Sequence, residues 1–362
     1  MTAHRDVVIP SADAYVLRRA RVPACFLERL PDGATADGEH CAVVDLAIAG
    51  GRIAAIYAAG SAPADQPSVD LEARQVWATL LDMHAHLDKG QVIPRVEPDG
   101  TLDSGAIRTA RDRKRWTHAD MAARMGFGLR CAYVHGVSAI RTHLDSQEES
   151  APTSWEVFRA LRAEWAGRVE LQAVGLMSLA GFRSPWGAAL ADLVARSQGI
   201  LGGTTDAIGE YEGAVNAELD SLLDLFLAMA AERGLDVDLH VDQSEDVKAF
   251  ALPSIARAVL RNRFKGRVVV DHCVNLALQP EAVIAETIAL CREAGLCFVT
   301  LPTPMMYLQD RKPGRTPRWR GVTLAQELDA AGVPIAIGGD NCRDAWFPFG
   351  DHDMVDSFQQ AV

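Results

Sequence analysis

From Gln75 onward, short apolar runs alternate with stretches of helical periodicity, and this alternation confines the chain to a parallel sheet with helices packed over it. Parallel neighbours cannot be joined by tight turns, so each strand needs a crossover, and the helical stretches supply them. Strands are expected over 76–83, 137–142, 169–176, 206–209, 237–240, 268–271, 297–301 and 334–337. Helices are expected over 117–134, 155–166, 218–232, 245–261, 281–294 and 324–331. Thr117 with Asp120 three residues on makes an N-terminal cap, and Gly234 and Gly295 follow last turns. Eight strands with intervening helices define an α/β fold of the (β/α)8 TIM-barrel type over 75–362, with its working face at the carboxyl ends of the strands.

The segment before it reads differently. Residues 15–21, 42–48 and 52–57 are β-type runs separated by turn residues, and Gly50-Gly51 is placed as a hairpin turn. A small N-terminal β domain over 1–74 is therefore expected ahead of the barrel.

A length of 362 residues accommodates both units, and a net charge of −12 excludes nucleic acid and anionic membrane surfaces as partners, since both reward clustered Lys and Arg. No apolar run reaches the roughly 20 residues that span a bilayer, and the first residues lack the apolar core of a secretory signal, so a cytoplasmic location is expected. Seven cysteines without a CxxC pair read as reduced thiols. Cys273 and Cys342 each lie within two residues of a candidate site residue.

The barrel makes a demand on the chemistry, because functional side chains should follow the strands. Strand one ends in His84 and His86, strand two in His143 and Asp145, strand five in His240 and Asp242, strand six in Asp271 and His272, and strand eight in Asp340 and Asn341. His84 and His86, two apart on a strand, share one face. A polar residue at one strand end can be a simple cap; five strands ending this way argue for a site. His84, His86, His240 and Asp340 would offer a divalent ion three imidazoles and a carboxylate, with a position left for water. Asp340 is then the natural acceptor of that water's proton, and His272 can polarise the substrate or carry a proton, unless it is a core histidine satisfied by backbone.

The same residues resemble a family. HxH after strand one, single histidines after strands five and six, and Asp after strand eight, behind an N-terminal β domain, look like the amidohydrolase superfamily. The strings His84-Ala85-His86-Leu87-Asp88, Thr117-His118-Ala119-Asp120, Arg141-Thr142-His143-Leu144-Asp145 and Asp344-Ala345-Trp346-Phe347-Pro348-Phe349-Gly350 are closest to its cytosine deaminase branch and to triazine-ring amidohydrolases such as N-isopropylammelide hydrolase. The resemblance runs from about residue 40 to the end. It implies one metal ion, zinc or iron, on His84, His86, His240 and Asp340, and His272 as the catalytic histidine. It also implies Trp346 as an aromatic wall beside a ring substrate, with His143 among the substrate-binding candidates. The strand-four segment 206–210 holds no lysine that could be carbamylated to bridge two metals, which favours a mononuclear site.

Three positions depart from that branch. Gln243 stands where cytosine deaminases carry the glutamate that shuttles a proton to the ring, Asn341 where they carry an aspartate, and Ser178 near the position of a substrate-binding glutamine. An amide cannot carry the proton, though Gln243 can hydrogen-bond a carbonyl or ring nitrogen and Glu245 is nearby. Cytosine is therefore not the expected substrate. The leading expectation is metal-dependent hydrolysis of a C–N bond in a small nitrogenous ring compound. The alternatives are a cyclic amide hydrolase and a non-catalytic homologue that only binds metal or ligand. After strand eight, 354–362 offers only the start of a helix, whereas the resemblance implies further chain that completes a β-sandwich. A C-terminally short chain would expose one barrel flank, which favours a homo-oligomer.

Overall fold

The structure is a computed structural model that describes residues 7–205 and 218–361. It divides into two compact units, Met1–Thr79 and Leu80–Val362.

In the first unit, β1 (Ala14–Pro23), β2 (Cys41–Ala49), β3 (Arg52–Ala58) and β4 (Ser68–Asp70) form one sheet in the order β3-β2-β1-β4. β1 pairs antiparallel with β2 and parallel with β4. Gly50 and Gly51 make the β2–β3 hairpin with φ of +56° and +71°, the left-handed geometry such a turn requires. Ala20, Val22, Ala42, Val44, Leu46 and Leu71 are its buried core, and Val76 packs on that core instead of beginning the barrel. Of the sandwich that the resemblance implies, the described residues form this one mixed sheet.

The second unit is an eight-stranded parallel sheet curled into a nearly closed barrel: β5 (Leu80–Ala85), β6 (Val137–Asp145), β7 (Glu170–Ser178), β8 (Ile200–Thr204), β9 (Val237–Val241), β10 (Val268–His272), β11 (Leu296–Thr300) and β12 (Ile335–Ile337). Between and after them lie α1 (Leu102–Asp112), α2 (His118–Val134), α3 (Ala151–Glu164), α4 (Pro185–Arg196), α5 (Leu219–Glu232), α6 (Leu252–Asn262), α7 (Glu281–Ala294), α8 (Pro302–Leu308), α9 (Ala325–Ala330) and α10 (Met354–Ala361). Strands buried on both faces read as continuous apolar runs, as in Val268-Val269-Val270. Trp155, Phe158, Phe182, Phe226 and Phe298 are fully buried in the one large core that joins sheet to helices.

Two elements differ from expectation for identifiable reasons. The strand expected at 206–209 lies outside the described residues; the fourth strand is β8, whose Gly202-Gly203 hides its β character. Gly203 alternates with the cavity-lining Thr204 and so faces the helix layer, where a Cβ would fall 2.8 Å from side-chain carbons of both Leu179 and Leu239, so a larger residue would have to push both aside. The helix expected from residue 245 begins at Leu252, because the Asp242 carboxylate takes the backbone N–H groups of Ala251 (2.7 Å) and Leu252 (3.1 Å) and Pro253 opens the first turn. Among the described residues no helix is long and apolar enough to cross a membrane.

Candidate active site

The carboxyl ends of the strands are shaped for a site by their backbone. Asp242 after β9, His272 and Cys273 at the end of β10, and Asp340 beyond β12 all have left-handed φ, at +54°, +66°, +49° and +59°. Such a conformation costs a non-glycine residue on the order of 1–2 kcal/mol. It also turns each strand sharply, so that consecutive side chains fan around the barrel mouth.

The barrel closes at the same place. β12 is only three residues long, and its continuation meets β5 through a single bridge, Ala85 to Asp340. There Asp340 N–H donates to His84 O at 2.7 Å, and Gly339 N–H donates to Asp82 Oδ1 at 2.9 Å. Gly338 permits the approach, since a Cβ would lie 2.7 Å from that of His84. Asp82 thus replaces missing ladder bonds; burial raises its pKa to about 7.

At this seam four donors converge. The Nε2 atoms of His84 and His86 are 3.2 Å apart, that of His240 is 3.4 Å from that of His86, and Asp340 Oδ1 is 3.2 Å from His86 Nε2 and 3.5 Å from His84 Nε2. Two ligands about 2.1 Å from one ion at a tetrahedral angle stand about 3.4 Å apart. Neither carboxylate oxygen of Asp340 has a hydrogen-bond partner among the described residues, although both are buried. Burial, and then the neighbouring imidazole of His143, hold His84 and His240 well below the usual histidine range, so both are neutral, as ligation requires. The His86 pKa is likewise pushed down, by burial and then Lys89. The donor set therefore fits a divalent metal ion. A second set, His84, His143, His240 and Asp271, also has converging atoms. His143 and Asp271 do not line the cavity described below, whereas His86, His240 and Asp340 do.

A second layer of residues fixes the first. His84 Nδ1 lies 2.8 Å from Asp271 Oδ2, His143 Nε2 bonds Asp238 Oδ1 at 3.0 Å, and Arg141 donates to Asp238 Oδ2 at 2.8 Å. His143 is fully buried, stacks on His84 at 3.8 Å between ring centroids, and offers its backbone oxygen 3.3 Å from His86 Nδ1. His143, expected among the substrate-binding residues, has its imidazole behind the cluster, held there by Asp238 and outside the lining of the cavity described below.

Above the cluster opens a cavity of about 570 Å³. His272, Gln243, Ser178, Asn341 and Trp346 all line it, together with His86, His240 and Asp340. Among the described residues neither buried ring nitrogen of His272 has a hydrogen-bond partner, and burial lowers its pKa to about 4, so above that pH it is a neutral proton acceptor. Burial raises the Asp340 pKa, against the pull of His272. Asn341 donates to Asp344 Oδ2 at 2.6 Å, and Trp346 Nε1 donates to Leu102 O at 3.0 Å.

Lys89 and Arg113 also line the cavity without having been expected there, beside Asp145 at the end of strand two. The Lys89 ammonium, on a residue only 6% exposed, lies 4.3 Å over the Trp346 ring and 3.6 Å from Asp145. Burial pushes the Asp145 pKa up, but Lys89 and Arg113 outweigh it and hold the group below the carboxylate range. Lys89 follows directly on the His86-Leu87-Asp88 string, and a cation three residues past a metal-type motif is the sequence signal that was passed over.

Comparison with known proteins agrees with this geometry. The model of the Amidohydrolase family matches residues 216–361. The chain is 45% identical over 357 residues to a pterin deaminase of Rhizobium rhizogenes, covering 98% of this chain and 79% of the relative. It is 26% identical over 326 residues to the N-isopropylammelide isopropyl amidohydrolase of Pseudomonas sp., covering 88% of this chain and 75% of that one. In fold it matches the 5-methylcytosine deaminase of Klebsiella pneumoniae solved with 5-fluorocytosine, with a TM-score of 0.78 at 22% identity over 96% of this chain and 79% of the other. With a buried histidine–aspartate cluster at a barrel mouth and a relative of this identity along nearly its whole length, the chain belongs to the amidohydrolase family, metal-dependent hydrolases of carbon–nitrogen bonds other than peptide bonds.

Proposed function

We propose that this enzyme deaminates a pterin, replacing the exocyclic amino group of a 2-amino-4-oxopteridine with oxygen and releasing ammonia. The observation that carries the reading is the 45% identity to a pterin deaminase across 98% of the chain. The cavity supports it: about 570 Å³ is more room than a single six-membered ring needs, and Trp346 offers a flat wall.

In this reading His84, His86, His240 and Asp340 hold one divalent ion, zinc or iron. Bound there, the ion supplies Lewis acidity, which makes water nucleophilic near neutral pH. The chain's own groups do the rest. Asp340, whose pKa burial raises, takes a proton from the attacking water. His272, neutral beside it and without a hydrogen-bond partner among the described residues, relays that proton from Asp340 to the departing amine, one ring nitrogen accepting as the other gives up its own. Gln243 and Lys89 hydrogen-bond acceptor atoms of the ring, so the negative charge that builds up there is met by an amide and an ammonium where cytosine deaminases use a glutamic acid. Ser178 and Asn341 complete the wall. Seven cysteines without a CxxC pair, all unpaired, favour a cytoplasmic setting, and a homo-oligomer remains part of the proposal.

Ammonia release tests the reading. Purified enzyme loaded with zinc or iron is expected to turn over 2-amino-4-oxopteridine at least a hundredfold faster, by kcat/KM, than cytosine, melamine-type triazines or cyclic ureas, on the scale a missing acid–base group or mismatched contact imposes. Turnover of a cyclic urea or an N-alkyl triazine in preference to the pterin would sink it.

A further inference from the structure

Two segments at the barrel mouth run against the acidic character of the chain. Residues 108–115 hold five Arg or Lys and one Asp, and residues 311–320 hold five Arg or Lys and no acid, ten of the 36 cationic residues in a protein of net charge −12. The first segment ends α1, whose Leu102, Ala106 and Ala110 line the cavity, as does Arg113 just after it. The second follows α8, whose Met305 and Leu308 line it from another side. The two adjoin: a Cβ at Gly100, immediately before α1, would lie 2.6 Å from Arg311 Nε. Arg111, Lys114, Arg115, Arg318 and Arg320 are exposed, and none has a carboxylate within ion-pair distance among the described residues. Of the acids beside them, Asp310 is taken by its own loop, accepting from Arg315 and from the backbone N–H of Arg318, and Glu245 stands 3.8 Å from Lys312. Inside the cavity the charges are mixed, with Lys89 and Arg113 set against Asp145, Asp103 and Asp246.

We propose that the natural substrate carries an anionic substituent, a carboxylate or phosphate, outside the ring that is hydrolysed, and that this basic rim captures it. The proposal rests on the pterin reading and adds the chemical class of what the ring bears. The neutral ring enters the mixed-charge cavity, while the charged tail stays at the mouth, where solvent-facing cations steer the encounter and hold the tail without the cost of burying it. Clustered like charges of this kind raise encounter rates by roughly 10- to 1,000-fold and are screened by salt.

The test compares 2-amino-4-oxopteridine with its 6-carboxylate on the metal-loaded enzyme. At low ionic strength the carboxylate is expected to have a kcat/KM at least about tenfold above that of the uncharged pterin. Raising salt to about 0.5 M should erase most of that advantage and leave the uncharged pterin unaffected. The triple variant Arg111→Glu, Lys114→Glu, Arg115→Glu should lower kcat/KM for the carboxylate about tenfold or more and leave the pterin within about twofold. The double variant Arg318→Glu, Arg320→Glu should act in the same direction and decides the matter if the first variant fails to fold. Equal kcat/KM for the two compounds, or charge reversals that change both alike, overturns the proposal while leaving the pterin reading in place. Turnover of neither compound removes the pterin reading and this proposal with it.

Discussion

Gln243 enters the cavity from the end of β9, with its backbone oxygen accepting from Gln309 Nε2 at 2.5 Å. Its position is therefore set by the main chain, and exchanging amide for acid alters chemistry more than shape. Gln243→Glu is expected to raise kcat/KM for cytosine relative to pterin by at least about tenfold, since a positioned general acid contributes roughly 100- to 10,000-fold. A steady-state comparison of the two substrates checks this, and an unchanged ratio would mean that the side chain at position 243 does not reach the ring. His352 is a residue of another kind. Only 7% exposed, it packs so near α2 that a Cβ on Gly128 would stand 3.1 Å from its Nε2. Burial lowers its pKa to about 4, with Asp351 opposing and His135 assisting. Between the unfolded value of about 6.5 and that folded value, the unfolded chain binds the extra proton, so stability falls as pH drops through this window. His352→Leu should therefore lose about 2 kcal/mol less stability than the parent between pH 7 and pH 5, by denaturant titration at both pH values.

Among the elements, α1 is one that the sequence concealed, as it did α4 and α8. Its apolar pattern is broken by Gly105, Arg108 and Arg111, and its place is decided by a distant partner: Gly105 lies against the indole of Trp346, and Leu102 O receives the indole N–H. Such long-range packing leaves no periodic trace. α2 and α7, by contrast, carry their boundaries in the chain, Thr117 capping the Asp120 N–H at 3.2 Å and Gly295 closing the other at φ +69°. The convergence of His84 and His86 was equally readable, because a period of two puts them on one face, and strand ends are where a parallel barrel works. The behind-the-cluster position of His143 was not readable, because it depends on Asp238, 95 residues away. For α1 this makes Gly105→Ala a decisive substitution. A Cβ there collides with Trp346 Nε1, and the roughly 1 kcal/mol gained in helix propensity is outweighed by 1–3 kcal/mol of overpacking. Kinetics should show kcat/KM reduced about tenfold or more as the ring wall shifts, accompanied by a quenching or red-shift change in tryptophan fluorescence. Retention of full activity would mean that Trp346 has no fixed place at the substrate.

At the scale of the molecule, the cation site and the closure of the barrel are one structure. β12 contributes three residues, and the seam to β5 depends on Asp340 N–H to His84 O, Gly339 N–H to Asp82, and donors from β5, β9 and the end of β12 that face one another across 3.2 to 3.5 Å. Without a cation, Asp340 is a buried carboxylate with no hydrogen-bond partner among the described residues, a costly arrangement. Metal binding is accordingly linked to folding. A ligand present at about a thousand times its Kd stabilises the native state by about 4 kcal/mol. At about 2–4 °C per kcal/mol for a chain of this order of size, removing the ion should lower Tm by on the order of 10 °C. His240→Ala should carry no stoichiometric metal and show no activity, and its Tm should hardly respond to a chelator that destabilises the parent. Scanning calorimetry with metal analysis measures all three. Full metal content in His240→Ala would move the cation to the deeper set of His84, His143 and Asp271, beneath the cavity and out of reach of a substrate.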